Sequence, residues 1–239
     1  NVYDDFQPLN GCVNDARALQ RITKLEKFDK NILLANEDAT RENILNKIKQ
    51  FAKDSESGDL VVITYAGHGS FIFDESGDEV LSGDNPKDEV LVTYNGFLID
   101  DEIFDVFQQF KKGVRLVWVG DSCHSKSQTR SMTVPRPQSN YRLLDQYIAQ
   151  GHYESNQEKY DTLRKGLKRS KADGVKAAVW NMFACQETEL AEEFNGRGLF
   201  TLEVEKLYNS DKKLTIEEAT SHLSKPLTDN QNPAVEFYG

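Results

Sequence analysis

The stretch LVWVGDSCHS, residues 116–125, decides the fold and ends beside a cysteine. Its apolar first half runs directly into Gly120, Asp121, Ser122 and Cys123, which predicts a buried strand that ends at an exposed thiol. In an open α/β sheet, binding and catalytic groups lie at the carboxyl ends of the strands. We therefore expect the chemistry of this chain to lie at Cys123.

An earlier stretch, LVVITYAGHG at residues 60–69, has the same form and ends around His68. A thiol and an imidazole at two strand ends suggest a nucleophile and its base. Apolar residues at helical spacing, as in residues 44–52, alternate with the strands, and this predicts a mainly parallel sheet with helices on its faces. The same patterns predict a strand at Ile32–Ala35 and a helix around Arg142–Gln150.

The composition excludes several classes of function. The 239 residues have no linker-like break and suit one domain, and a net charge of −10 argues against a nucleic-acid surface. No apolar run is long enough to cross a bilayer, and no signal peptide opens the chain. Three widely spaced cysteines indicate neither a disulfide framework nor a zinc site, so we expect a reducing, cytoplasmic location.

Two polar regions interrupt the alternation of strands and helices. Residues 70–96 are rich in acids and glycine and predict a long connection. Residues 125–140 carry basic side chains and prolines and predict an exposed, flexible loop. Elsewhere, the pattern predicts surface positions for the two other histidines and structural positions for the two other cysteines, at His152, His222, Cys12 and Cys185.

The two boxes YAGHG (residues 65–69) and DSCHS (residues 121–125) together resemble those of the caspase-like cysteine peptidases, most of all metacaspases and their bacterial relatives. Further pieces match in order along nearly the whole chain: LNGCVNDA at 9–16, IDDEI at 99–103, ACQE at 184–187 and GLFT at 198–201. The resemblance implies a caspase-like three-layer sandwich, with a central, mainly parallel sheet flanked by helices. It also implies one peptidase domain, 1–239, made of a large-subunit-like part (1–124), a linker with helices (125–174) and a small-subunit-like part (175–239).

The resemblance implies a cysteine endopeptidase that forms a thioester acyl-enzyme. Cys123 would be the nucleophile, and His68 would act as base and then as acid to the leaving amine. The amides of Gly69 and Cys123 would form the oxyanion hole. Two alternatives stay open: Cys123 as a buried structural thiol with His68 as a turn residue, and a non-catalytic caspase-like module that serves in assembly or signalling.

In metacaspases the residues that match Asp15 and Asp121 line the first specificity pocket. Two carboxylates favour an arginine or lysine side chain through charge-assisted hydrogen bonds. The expected partners are therefore proteins or peptides cut after Arg or Lys, by a chain that acts as a monomer. One hydroxyl of the pocket is missing, because Ala66 stands where the family usually has serine. The alternative is that Asp15 caps a helix and Asp121 satisfies backbone amides.

Calcium is a cofactor that the family suggests but this chain does not favour. Asp88, Asp100 and Asp101 match family ligand positions, but residues 126–130, where a fourth acid is expected, read KSQTR. We therefore expect no metal site and no cofactor. Self-processing is a further expectation, because Lys126, Arg130, Arg136 and Arg142 in the loop, and the basic patch 168–171, match the expected specificity.

Overall fold

The computed structural model describes residues 2–73, 87–123, 140–165, 167, 174–186, 189–210 and 213–238. The helices are α1 (Cys12–Leu25), α2 (Arg41–Asp54), α3 (Asp100–Phe107), α4 (Gln146–Ser155), α5 (Gln157–Lys165), α6 (Leu199–Asn209) and α7 (Ile216–Leu223). The strands are β1 (Leu60–Ala66), β2 (Gly69–Phe73), β3 (Lys87–Thr93), β4 (Gly96–Ile99), β5 (Arg115–Asp121), β6 (Asn140–Tyr141), β7 (Ala178–Phe183), β8 (Glu192–Phe194), β9 (Arg197–Gly198) and β10 (Ala234–Tyr238).

The central sheet has the strand order β1-β5-β7-β10, in which the first three strands are parallel and β10 runs antiparallel at the edge. Because side chains alternate along a strand, β5 serves two cores. Leu116 and Trp118 pack with α2 and α3 on one face, and Val117 and Val119 pack with α1, α6 and α7 on the other. The expected three-layer sandwich is thereby confirmed.

Two smaller sheets stand at the carboxyl end of the central strands. The antiparallel sheet β2-β3-β4 packs under α4 and α5, in a core that contains the fully buried rings of Tyr153 and Tyr160. The short strands β6, β8 and β9 form the second one. The prediction of one long polar connection over 70–96 was therefore wrong for its two ends, where the strands carry the buried apolar residues Ile72, Val90 and Val92.

Two other local predictions were wrong. Ile32–Ala35 forms no strand, because it pairs with no described strand, and a cavity of about 540 Å³ is lined by this segment and by β1. The helix expected from Arg142 begins at Gln146 instead. Asp145 caps it by accepting a hydrogen bond from the amide of Tyr147 (2.8 Å), and the residues before the cap are held extended.

Several other expectations meet the structure in part. Cys12 and Cys185 are buried as expected. His152 is not a surface residue, since its ring lies 5.0 Å from that of Phe6 and 4.8 Å from that of Phe97, as measured between centroids. The loop expected over 125–140 lies outside the described residues except for Asn140, which belongs to β6. The division into three parts stays a prediction. Among the described residues, no helix combines the length and apolar character that a membrane crossing requires.

Candidate active site

The parallel register of β1 and β5 brings the predicted histidine and cysteine to the same edge of the sheet. Ala66 lies opposite Asp121, and His68 and Cys123 each follow two residues further on. The amide of Gly67 donates to the carbonyl of Asp121 (3.4 Å), which extends the ladder past the strand ends. Neither ring nitrogen of His68 is hydrogen bonded to the described thiol of Cys123.

His68 is held in a defined tautomer. Its Nε2 lies 2.9 Å from the carbonyl oxygen of Gln7, which can only accept, so Nε2 carries the proton. Nδ1 is then the free base, and it is buried without a hydrogen-bond partner in the described part of the chain. Burial lowers the pKa of His68 to about 4, and the nearby Arg142 cation acts in the same direction. The ring is therefore neutral at pH 7 and able to accept a proton.

This lowered pKa predicts a loss of stability in acid. Because the unfolded chain binds the proton more tightly than the folded chain, the contribution of His68 is full above pH 6.5 and is lost as the pH falls from 6.5 to about 4. The loss should approach about 3 kcal/mol. Urea unfolding between pH 4 and 7 should show this loss: the free energy of unfolding of Cys123→Ala should fall with decreasing pH more steeply than that of Cys123→Ala/His68→Gln.

Cys123 is not the exposed thiol that the strand pattern predicts. It is 2% exposed, because the segment around Leu143 packs over it. Its Sγ accepts a hydrogen bond from the amide of Ala191 (3.1 Å) and also contacts the thiol of Cys185. Burial raises the pKa of Cys123 well above its usual value, and Cys185 adds to the shift. The resting thiol is therefore protonated.

Asp15 and Asp121, the predicted pocket residues, meet around the guanidinium of Arg142. The side chains of Asp15 and Arg142 are fully buried, and that of Asp121 is 1% exposed. Nη2 of Arg142 pairs with Oδ2 of Asp15, and Nη1 lies 3.1 Å from Oδ1 of Asp121. Burial raises the pKa of Asp121, while the Arg142 charge opposes that shift and favours the carboxylate. The two acids thus form a pocket that holds an arginine side chain.

The structure also decides the two alternatives for these acids. Asp15 does not cap a helix, since Gly11 is the N-cap of α1 and Asp15 lies inside the helix, where it accepts from the amide of Gly198 (2.8 Å). Asp121 does accept a hydrogen bond from a backbone amide, since its Oδ2 lies 3.0 Å from the amide nitrogen of Thr201. Its other oxygen, Oδ1, is the one that lies near Arg142. Its backbone role and its contact with the guanidinium therefore coexist.

Two further charged residues of this pocket were missed from the sequence. Oε2 of Glu193 lies 3.6 Å from Nε of Arg142, and burial raises the pKa of Glu193. Arg197 donates from Nε to Oδ1 of Asp15 (2.6 Å). Glu193 belongs to an acidic run with no motif spacing, and it reaches the pocket through the β8–β9 hairpin. The available sequence signal was that Glu193 lies two residues after Ala191, so in an extended chain both side chains point to the same, buried side.

A glycine makes room for the bound guanidinium. A Cβ on Gly198 would overlap Oδ2 of Asp121 and approach Nη1 of Arg142 to 2.7 Å. Real Cβ contacts are almost never that short, so this position requires glycine for steric reasons. The wall of the pocket formed by the β9–α6 junction is therefore backbone.

The main chain of Arg142 contacts the two amides that were expected to form the oxyanion hole. Its carbonyl oxygen accepts from the amide of Gly69 (3.0 Å) and from the amide of Cys123 (3.2 Å). Its own amide donates to the carbonyl of Ala191 (3.0 Å). One residue of the chain therefore places its side chain in the acidic pocket and its carbonyl between the two amides.

The expected calcium ligands do not form a set that fits the ion. Asp88 is 4% exposed, and its carboxylate pairs with Arg164, whose guanidinium supplies the counter-charge. Within the described ranges, no three His, Cys, Asp or Glu side chains converge in a way that would hold a metal. Calcium prefers six to eight oxygen ligands, so these residues do not fit it. The expectation that no metal is needed stays a prediction.

Comparisons with known proteins show the family and the fold of this chain. Residues 2–131 match the family model of the metacaspase peptidase C14 domain. Metacaspase-1 of Eremothecium gossypii is 29% identical over 137 residues, which cover 53% of this chain and 30% of that protein. The chain thus matches less than a third of that relative's length.

Solved structures extend the similarity over the whole fold. The crystal structure of a Geobacter sulfurreducens protein superposes with a TM-score of 0.85 and 28% identity, covering 96% of this chain and 84% of that one. Caspase-1 of Spodoptera frugiperda superposes with a TM-score of 0.54 and 12% identity, covering 99% and 82% of the two chains. The second similarity concerns the fold alone.

Proposed function

This chain belongs to the metacaspase peptidase C14 family, and from that premise we propose that it is a cysteine endopeptidase that cleaves peptide bonds after arginine or lysine. Cys123 is the nucleophile, and His68 is the general base and then the general acid. The amides of Gly69 and Cys123 stabilise the oxyanion, and Asp15 with Asp121 selects the basic side chain before the cleaved bond.

One observation carries this proposal. The guanidinium of Arg142 lies between Asp15 and Asp121 while its carbonyl oxygen accepts from the amides of Gly69 and Cys123. A substrate arginine placed in the same way would have its side chain selected and its carbonyl polarised together. The amides act where negative charge develops, and each such donor is worth about 3 kcal/mol in the transition state.

The reaction follows from the tautomer of His68. Nδ1 accepts the proton of the Cys123 thiol, and Sγ attacks the carbonyl carbon of the substrate arginine. The bond to the leaving amine breaks as His68 returns the proton to it, and a thioester remains. Water, deprotonated by Nδ1, then adds to the thioester and regenerates the thiol.

The pocket supports a preference for arginine over lysine. Asp15, Asp121 and Glu193 face three different nitrogens of one guanidinium, namely Nη2, Nη1 and Nε. A lysine ammonium is a single point charge and has no nitrogen at the position of Nε, so Glu193 is left without its contact. We expect cleavage after Arg, slower cleavage after Lys and none after Asp.

We also propose that activity needs no calcium and that the protein acts as a monomer on protein substrates in a reducing, cytoplasmic environment. The pairing of Asp88 with Arg164 supports the first point. The free, buried thiols of Cys12, Cys123 and Cys185 are compatible with a reducing environment.

The test is a panel of fluorogenic peptides that differ in the last residue, Arg, Lys or Asp. They are offered to the wild type and to Arg142→Gln, with and without calcium; without the ion pairs of its guanidinium, residue 142 no longer holds the segment in the site, so peptides can enter without a cut. Arg should exceed Lys by at least about tenfold, the effect of losing one charged contact worth about 1.4 kcal/mol. Cleavage after Asp, or equal rates from Cys123→Ala, would contradict the proposal.

The alternative is a non-catalytic caspase-like module. The observation that favours it is the protonated, buried Cys123, which makes no hydrogen bond to His68. An arginyl chloromethyl ketone separates the two functions. It should alkylate Cys123 of the Arg142→Gln chain, as read by peptide mass spectrometry, whereas a non-catalytic module would stay unlabelled.

A further inference from the structure

The segment Tyr141–Leu144 lies in the candidate site as a bound peptide would. Tyr141 pairs with Glu192 of β8 in antiparallel register. The amide of Arg142 donates to Ala191, and the amide of Leu144 donates to the carbonyl of Gly69 (3.0 Å). The chain therefore runs through the site with backbone hydrogen bonds on both sides of the Arg142–Leu143 bond, which is how an extended peptide binds to a strand edge.

We propose that this segment is a substrate built into the protein and that Arg142–Leu143 is the bond that the site cuts in its own chain. The proposal rests on the proposed function. It goes beyond it by selecting one bond from the basic residues at which self-processing is expected.

The choice of bond follows from where the side chain and the carbonyl group of Arg142 lie. The Arg142 guanidinium pairs with both specificity carboxylates, and the Arg142 carbonyl lies 3.0 and 3.2 Å from the two oxyanion amides. Arg164, also largely buried, pairs instead with Asp88 in another part of the fold. Lys126, Arg130, Arg136 and the basic patch 168–171 lie outside the described residues. Of the described basic residues, Arg142 alone therefore presents its carbonyl to the site.

The resting state explains how the intact bond can persist in the site. Sγ of Cys123 accepts from Ala191 and contacts Cys185, and it makes no hydrogen bond to His68 among the described atoms. Attack requires the thiol proton to reach Nδ1 of His68. Cleavage is therefore a slow, single event that follows a rearrangement of the Cys123 side chain.

Water is the only reagent that this cleavage needs besides the chain itself. The thiol proton of Cys123 passes to His68, the bond from Sγ to the Arg142 carbonyl carbon forms, and the C–N bond to Leu143 breaks. The new amine of Leu143 takes the proton from His68. Water then adds to the thioester, the C–S bond breaks with return of a proton to Sγ, and Arg142 ends in a carboxylate.

The two products differ in how they are held. Leu144 is 3% exposed in the core that contains Tyr153 and Tyr160, and α4 follows directly, so the piece that begins at Leu143 stays docked. After cleavage Arg142 is a chain end that is no longer tied to the docked Leu144. It can therefore exchange with other substrates, and the site opens to them.

The test is incubation of the full chain with and without calcium, followed by intact-mass measurement and N-terminal sequencing. We expect pieces 1–142 and 143–239, a new N-terminus that reads LLDQ, and co-elution of both pieces in gel filtration. The rate should not depend on protein concentration, because the bond lies in its own site. Hydrolysis of an arginyl peptide should rise together with the cleaved fraction.

Variants separate this proposal from the proposed function. Cys123→Ala and Arg142→Gln should stay whole, Arg142→Lys should be cut more slowly, and Arg164→Gln, which removes another buried arginine, should still be cut at Leu143. A wild type that hydrolyses arginyl peptides but is cut elsewhere, stays whole, or is cut at a rate proportional to its concentration overturns the bond assignment alone. If neither the chain nor any arginyl peptide is cut, even by Arg142→Lys and Arg142→Gln, the proposed function fails.

Discussion

Replacing Cys123 by alanine should lower kcat/KM for an arginyl peptide by at least about 10⁴-fold. The change removes the atom that forms the acyl bond, while the pocket and the two amides remain. Residual hydrolysis would come from binding and the oxyanion amides alone, which act weakly without a nucleophile. The measurement compares initial rates of Arg142→Gln with those of Arg142→Gln/Cys123→Ala, so that neither protein is cut at residue 142.

The matched control is Cys12→Ala, which removes another thiol that is likewise 2% exposed. Both variants should keep the cooperative thermal transition, because losing one buried sulfur costs on the order of 1 kcal/mol. Activity of Cys12→Ala should remain within about threefold of the wild type. Equal activities of the two variants would exclude Cys123 as the nucleophile.

Replacing Asp121 by asparagine should lower kcat/KM for arginyl peptides by about 10²- to 10³-fold. Asparagine keeps the volume and can still accept from the amide of Thr201, so the change isolates the charge. Breaking a buried ion pair costs about 3–5 kcal/mol, and 1.4 kcal/mol corresponds to a tenfold change in affinity. The same change should slow the cut at Arg142.

Glu102→Gln is the matched control for Asp121→Asn. Glu102 is 4% exposed and pairs with Arg41, in a part of the fold outside the pocket. Both variants lose one buried charge, so both should lose stability by a similar amount in urea unfolding. A fall in the Arg to Lys rate ratio is expected for Asp121→Asn and not for Glu102→Gln. The same fall in both would assign the effect to stability instead of specificity.

The placement of His68 and Cys123 at the same edge of the sheet could be predicted because it depends on a local pattern and one general rule. Each residue follows an apolar strand, and parallel strands end at the same edge of a sheet. The apolar alternation of β5 likewise predicts two cores, one on each face. The strand expected at Ile32–Ala35 failed because a strand needs a partner, which a short apolar run does not specify.

Arg142 illustrates what local pattern could not supply. Its sequence neighbours favour a helix, yet the residue is extended, because its backbone bonds to Ala191, Gly69 and Cys123. These partners are distant in sequence. The same holds for Glu193, which a hairpin returns to a pocket begun by Asp15 in the first helix.

The sequence by itself determined the family resemblance, the α/β class, and the placement of a thiol, an imidazole and two acids as candidate site residues, since each depends on residues close together in the chain. The tertiary structure alone decided that the thiol is buried and protonated, that a third acid faces the pocket, and that Arg142 occupies it. The physical reason is that burial, desolvation and ion pairing depend on which distant segments pack together, and these fix both the pKa of Cys123 and the occupant of the pocket.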